Sequence, residues 1–151
     1  MIERIDHVNL VVQDIDRMTD FYRDVLAMRV TRQITIGGPW IETLTGLAGA
    51  EADVVYLEAP SGPPVELLRY RTPEGRRPAG LGAANTPGLR HVAFRVSDLP
   101  GAVAALRAAG AELLSEVQSV PTTQVEFGDR QKQIVYCRDP EGNLLELCDY
   151  R

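Results

Sequence analysis

Histidine and cysteine are scarce in this chain, and basic residues are outnumbered by acidic ones. There are two His, two Cys and one Trp in 151 residues, and 16 Lys and Arg face 21 Asp and Glu for a formal charge of -5. Each shortage excludes something. The acidic balance leaves no basic surface for nucleic acid. Two cysteines, Cys137 and Cys148, make no disulfide framework. They fall in adjacent strands, with a turn expected to set Cys137 opposite Leu144, so both read as free thiols. No apolar run approaches the length of a membrane span. The opening MIERIDHVNLVV enters a strand pattern at once and lacks the apolar stretch of a secretory leader, so a cytoplasmic location is expected.

What is present is an internal repeat. DHVNLVVQDI (6–15) and RHVAFRVSDL (90–99) each hold His-Val, alternating residues, then Asp seven positions after the His; His7 and His91 are 84 positions apart. VYLEAPSGPPVELLRY (55–70) and VYCRDPEGNLLELCDY (135–150) match at an offset of 80: Tyr56 with Tyr136, Pro60 with Pro140, Gly62 with Gly142, Glu66 with Glu146 and Tyr70 with Tyr150. Two motifs repeated in the same order argue for a duplicated unit.

Each unit reads as β-α-β-β-β, an α+β class. Strands are expected at 5–12, 29–36, 53–58 and 65–70, then at 90–96, 112–117, 133–138 and 143–148. Helices are expected at 16–26, with Met18, Phe21, Tyr22 and Val25 on one face, and at 100–109. Asp98 caps the second helix before Pro100, and Gly110 stops it. The Gly- and Pro-rich stretch 72–88 is the connector between module 1 (1–71) and module 2 (89–151) of a single domain. Pairing the two sheets would complete a half-barrel with a central cavity.

Side chains alternate along a strand, so His7 shares a face with Asn9 and Val11, and His91 with Ala93 and Arg95. Glu66 lies within VELL and Glu146 within LLELC, where a carboxylate is costly unless its charge is compensated. Any one of these four, alone, is better read as structural or solvent-facing. Together they are the only two histidines and two matched glutamates. A His, Glu, His, Glu set suits one divalent ion of Ni, Co, Zn, Mn or Fe.

The motifs IDHVNLVVQDIDRMTDFYRDVLAM, LRHVAFRVSDL and YCRDPEGNLLEL resemble the vicinal oxygen chelate superfamily, which includes glyoxalase I, methylmalonyl-CoA epimerase, extradiol dioxygenases, and fosfomycin- and bleomycin-resistance proteins. The resemblance covers nearly the whole chain. In metal-dependent members one ligand comes from the first and one from the last strand of each unit. The resemblance therefore implies His7, Glu66, His91 and Glu146 as metal ligands. The set is similar to that of glyoxalase I, while the wording around His91 and Glu146 resembles the epimerases. Ala27 stands where such members usually have Gly.

The implied chemistry is proton removal next to a carbonyl, with Glu146 as the base and Glu66 as the second carboxylate. A small-molecule substrate and a homodimer are expected, with neither nucleic acid nor membrane as partner. Arg95 reads either as a contact for a substrate carboxylate or phosphate, or as an ordinary strand-end arginine. Rival readings are a non-catalytic binding protein that sequesters a small molecule or antibiotic, a metal-dependent dioxygenase, and a thiol- or water-adding enzyme. Specificity is expected in 37–52, 72–88 and 119–130. Trp40 reads as a cover for the site or as a packing residue.

Overall fold

Alternation along Val65–Thr72 sets the plan of the first unit. The computed structural model describes all 151 residues. Val65 and Leu67 point to one side of the sheet, Glu66, Leu68 and Tyr70 to the other. The chain divides into two compact units, Met1–Arg77 and Pro78–Arg151. The connector expected at 72–88 is shared between them.

The first unit contains β1 (Val8–Val11), α1 (Ile15–Asp20), β2 (Arg29–Gly37), α2 (Pro39–Thr45), β3 (Glu51–Glu58) and β4 (Val65–Thr72). The second contains β5 (His91–Arg95), α3 (Leu99–Ala108), β6 (Gln118–Ser119), β7 (Lys132–Arg138) and β8 (Leu144–Tyr150). Each builds its own four-stranded sheet, in the orders β1-β4-β3-β2 and β5-β8-β7-β6. These are two tandem βαβββ-like modules. In both, the first and last strands are parallel neighbours, while the last two strands are antiparallel. That single feature brings the histidine strand beside the glutamate strand.

One face of each sheet is covered by its helix. In the first unit Met18 of α1 and Tyr22, in the turn that continues it, are fully buried, as are Leu57 and Leu67 of the sheet. In the second Leu99 and Leu106 of α3 are fully buried, with Leu145, Leu147 and Cys137. At about 25 cal/mol per Å² of apolar area, each such side chain contributes roughly 1.5–3 kcal/mol. The opposite face of the first sheet carries a separate cluster of Ala52, Val54 and Leu68, joined by Ile36, Tyr56 and Tyr70. Glu66 lies on that face.

The helix caps follow the sequence. Asp14 and Asp98 each accept a backbone N–H three residues on, from Arg17 and Gly101, both at 3.0 Å. Beyond Asp20 the first helix departs from the expected regular course to residue 26. Residues Phe21–Val25 form a π-helical turn, in which Leu26 N–H reaches back to Phe21 O. The two helices differ by one residue here. The closing bond runs from Met28 to Tyr22 in the first unit and from Ala111 to Leu106 in the second. Six positions separate the first pair and five the second, and the wider turn absorbs the extra one. Ala27, with φ of +53°, and Gly110, with φ of +71°, then take the left-handed position that ends each helix.

Three expectations need correction. The loop 37–52 contains helix α2, with Pro39 in its first turn. The strand expected at 112–117 is only an isolated bridge from Leu113 to Cys137, and the paired residues are Gln118 and Ser119. Ser115 and Glu116 turn the chain away, with Glu116 held by Arg107 at 2.6 Å. In the β7–β8 hairpin Cys137 pairs with Leu145 rather than Leu144. Asp139 accepts the N–H groups of Glu141 and Asn143, and this fixes a five-residue turn, 139–143. The shift by one residue puts Cys137 on the face away from Glu146.

Candidate metal and proton-transfer site

The strand registers place each histidine on a diagonal from its glutamate. Asn9 is paired with Glu66, and Ala93 with Glu146, so His7 and His91 lie two residues before the glutamate's partner. His7 Nε2 is 3.4 Å from Glu66 Oε2, and His91 Nε2 is 3.6 Å from Glu146 Oε2. The structure thus brings together His7 with Glu66 and His91 with Glu146. No group of three or more His, Cys, Asp or Glu comes together to hold a metal ion.

Each pair fits two adjacent positions around a divalent ion. Nitrogen and oxygen ligands bound at about 2.0–2.2 Å lie roughly 2.9–3.4 Å apart, close to both separations. In the first unit the fit extends outward. His7 Nδ1 is 2.9 Å from Asp6 Oδ2. A carboxylate oxygen can only accept, so Nδ1 donates to Asp6, and Nε2 is the nitrogen turned toward Glu66. The same contact holds the Asp6 carboxyl below the usual carboxylate range. Arg90 replaces Asp6 in the second unit and bonds instead to Leu81 O at 2.9 Å, so His91 lacks this partner.

Sequence reasoning named the four candidate side chains but not the groups that bind the glutamates. Tyr56 donates its hydroxyl to Glu66 Oε1, and Asn9 Nδ2 donates to Oε2 at 2.6 Å. Donation to Glu66, aided by burial, pushes the Tyr56 phenol up to about 12. Tyr136 is raised by burial and by the charge of Glu146. Each tyrosine also stands against its unit's histidine, with ring centroids 6.3 Å apart for His7–Tyr56 and 5.3 Å for His91–Tyr136. The repeat had matched Tyr56 with Tyr136, and strand pairing of each with its glutamate was the available signal.

Lys132 had no such signal, because its counterpart is Ala52. Its Nζ is 2.7 Å from Glu146 Oε1. Burial works against the ammonium, but Glu146 outweighs it and holds Lys132 above the ordinary lysine value. The two glutamates are therefore satisfied differently: Glu66 by neutral donors and Glu146 by a cation. Cys137 and Cys148 are both free. Burial pushes the Cys137 thiol up to about 11 and raises Cys148 as well, so neither is an activated nucleophile.

The sequence profile of the glyoxalase/bleomycin resistance protein/dioxygenase superfamily matches residues 4–147. The chain belongs to this superfamily. Among solved structures it is similar to a glyoxalase family protein from Bacillus cereus, at 26% identity and a TM-score of 0.85, over 99% of this chain and 95% of the other. Two more distant likenesses concern the fold alone. The trypanothione-dependent glyoxalase I of Leishmania major is 22% identical with a TM-score of 0.64, over 98% of this chain and 87% of the other. A glyoxalase/bleomycin resistance protein/dioxygenase domain from Frankia is 22% identical with a TM-score of 0.69, over 100% and 94%. No curated protein matches the chain. Members of the superfamily often bind a divalent metal, and no helix of this member is long and apolar enough to cross a membrane.

Proposed function

We propose that this superfamily member is a divalent-metal-dependent lyase or isomerase that moves a proton next to a carbonyl of a small-molecule substrate. His7, Glu66, His91 and Glu146 are the candidate metal ligands. The observation that carries this reading is the recurrence of one His–Glu diagonal, backed by one tyrosine, in both units. A bound divalent ion supplies polarisation of the carbonyl oxygen and compensation for the negative charge that develops there.

The chain's own residues divide the remaining work. Glu146 moves the proton. Lys132 holds its Oε1, which leaves Oε2, the oxygen nearer His91, as the one available to serve as ligand and as base in turn. Glu66 is the second carboxylate, fixed in orientation by Asn9 and Tyr56. A positioned carboxylate of this kind contributes typically ~10²–10⁴-fold to the rate.

Elemental analysis of protein purified without added metal tests the reading first. The expected result is about one divalent ion of Ni, Co, Zn, Mn or Fe per chain, and less than that in His7→Ala or His91→Ala. Protein that holds no ion and takes none up on reconstitution would overturn it. One observation favours a second reading, a protein that binds a small molecule without turnover: the Lys132 ammonium already occupies Glu146. That reading expects ligand binding by metal-free protein, unchanged in Glu146→Gln.

A further inference from the structure

The second unit gathers three cations around one tyrosine of its sheet. Tyr150 stands on β8, on the same sheet face as Glu146. Arg95 Cζ lies 5.1 Å from the centre of its ring, Arg130 Cζ 5.2 Å and Lys132 Nζ 5.8 Å. Phe127 closes the group, edge-to-face on Tyr150 at 5.4 Å and 5.8 Å from Lys132 Nζ.

The backbone explains the convergence. Arg95 comes from β5, beside β8, and Lys132 from β7, directly opposite Tyr150. The ladder continues by mutual bonds between Gln131 and Arg151, so Arg130 falls on the face of Lys132. A tight turn bridging Phe127 to Arg130 holds the ring and the guanidinium together.

Of the three cations only Lys132 has an acidic partner, Glu146. Neither Arg95 nor Arg130 forms an ion pair, and the nearby carboxylates Glu126 and Asp129 pair with neither. Asp149 is taken by Arg151 on the other face of the strand. Contacts with an aromatic ring offset only part of the repulsion among like charges. An added anion removes it, and guanidinium groups match the planar oxygens of carboxylate and phosphate.

We propose that Arg95, Arg130 and Lys132, arranged around Tyr150, receive an oxyanion group of the substrate, a carboxylate or a phosphate monoester. This deepens the function proposed above and rests on it for the identification of the bound molecule as substrate. Glu146 and Tyr150 are four residues apart on one strand, roughly 13 Å at 3.3 Å per residue. Lys132 Nζ spans that interval, 2.7 Å from Glu146 Oε1 and 5.8 Å from the Tyr150 ring centre, so the two guanidinium groups hold the far side of the anionic group.

The test is a titration of the full-length, metal-free chain with inorganic phosphate and separately with succinate, at low ionic strength, followed by NMR. Saturable shifts at Arg95, Arg130, Lys132 and Tyr150 are expected. Arg95→Gln with Arg130→Gln should weaken binding at least ten-fold, whereas Arg29→Gln, a surface change in the first unit, should not. Tighter phosphate binding assigns a phosphate monoester, and tighter succinate binding a carboxylate. Saturation by neither anion, or an unchanged affinity in the double variant, overturns the proposal. Should the double variant misfold, Arg130→Gln alone, on an exposed loop, carries the same test. His7→Ala should lower metal uptake and leave the titration unchanged. The anion site and the metal reading thus fail separately.

Discussion

Lys132 Nζ sits 2.7 Å from Glu146 Oε1, and the residue in the same place in the first unit, Ala52, offers Glu66 no charge. The side chains of this pair are 17% and 7% exposed, so their ion pair is neither a surface contact nor fully dry. Breaking it from either end has different consequences. Glu146→Leu strands an ammonium in a half-buried place and should lower unfolding free energy by about 2–3 kcal/mol. Lys132→Met leaves the more deeply buried partner, the Glu146 carboxylate, with only Tyr136 and His91 nearby, and should cost about 3–5 kcal/mol. Urea denaturation of the two variants checks the order; equal losses would show that the pair is not what holds Lys132 in place.

Asp6 should matter to metal affinity although it is not a ligand. Its bond to His7 Nδ1 fixes which ring nitrogen is free. Removing such a partner commonly weakens metal binding by about 10–100-fold. Asp6→Asn is expected at the low end of that range, because the pair is exposed and an amide oxygen still accepts. Calorimetric titration with zinc measures it. Arg90→Ala in the second unit should leave zinc affinity within about two-fold, since Arg90 does not touch His91.

The helix ends predict opposite signs for opposite exchanges. Ala27 occupies the left-handed region at φ +53°, a conformation costing about 1–2 kcal/mol for a residue with a Cβ. Glycine relieves that cost and loses about 0.5–1 kcal/mol in the unfolded chain. Ala27→Gly should therefore stabilise by about 0.5–1 kcal/mol, and Gly110→Ala should destabilise by a similar amount. Thermal melts of both variants decide it.

Acid should weaken the first sheet through Asp53. Arg71, with help from Thr35, holds its carboxyl below the usual range. A carboxylate depressed in the folded state contributes stability above its unfolded value near 3.9, and the contribution is lost as pH falls through the folded value. The melting temperature of the wild type should thus fall more steeply below about pH 4 than that of Asp53→Asn. The difference will be small, because Arg71 is 48% exposed and water screens the pair. Parallel curves would remove Asp53 from the acid response.

The sequence made the β-α-β-β-β order and the His–Glu pairs legible because both were written twice. Repetition supplied the second observation that a single His or Glu lacks. What it left unreadable was whatever occurs once. Lys132 and Asn9 bind the two glutamates, yet the repeat matches each with an alanine, Ala52 or Ala93. Helix α2 was hidden because Pro39 opens seven residues between glycines, a stretch that reads equally well as loop. The short β6 was misplaced by periodicity alone: Leu113 and Leu114 look like strand and do bond to β7, but the chain bends at 114–116 before the paired residues Gln118 and Ser119.

The π turn in the first helix also acts as a spacer. One extra residue within a helix would ordinarily rotate everything after it by about 100°. Here it is held inside one widened turn. Tyr22 and Leu106 keep equivalent buried places, and Val30 pairs with Leu57 as Leu113 pairs with Cys137. The two units thus differ in length between helix and next strand and still share the same diagonal of histidine and glutamate.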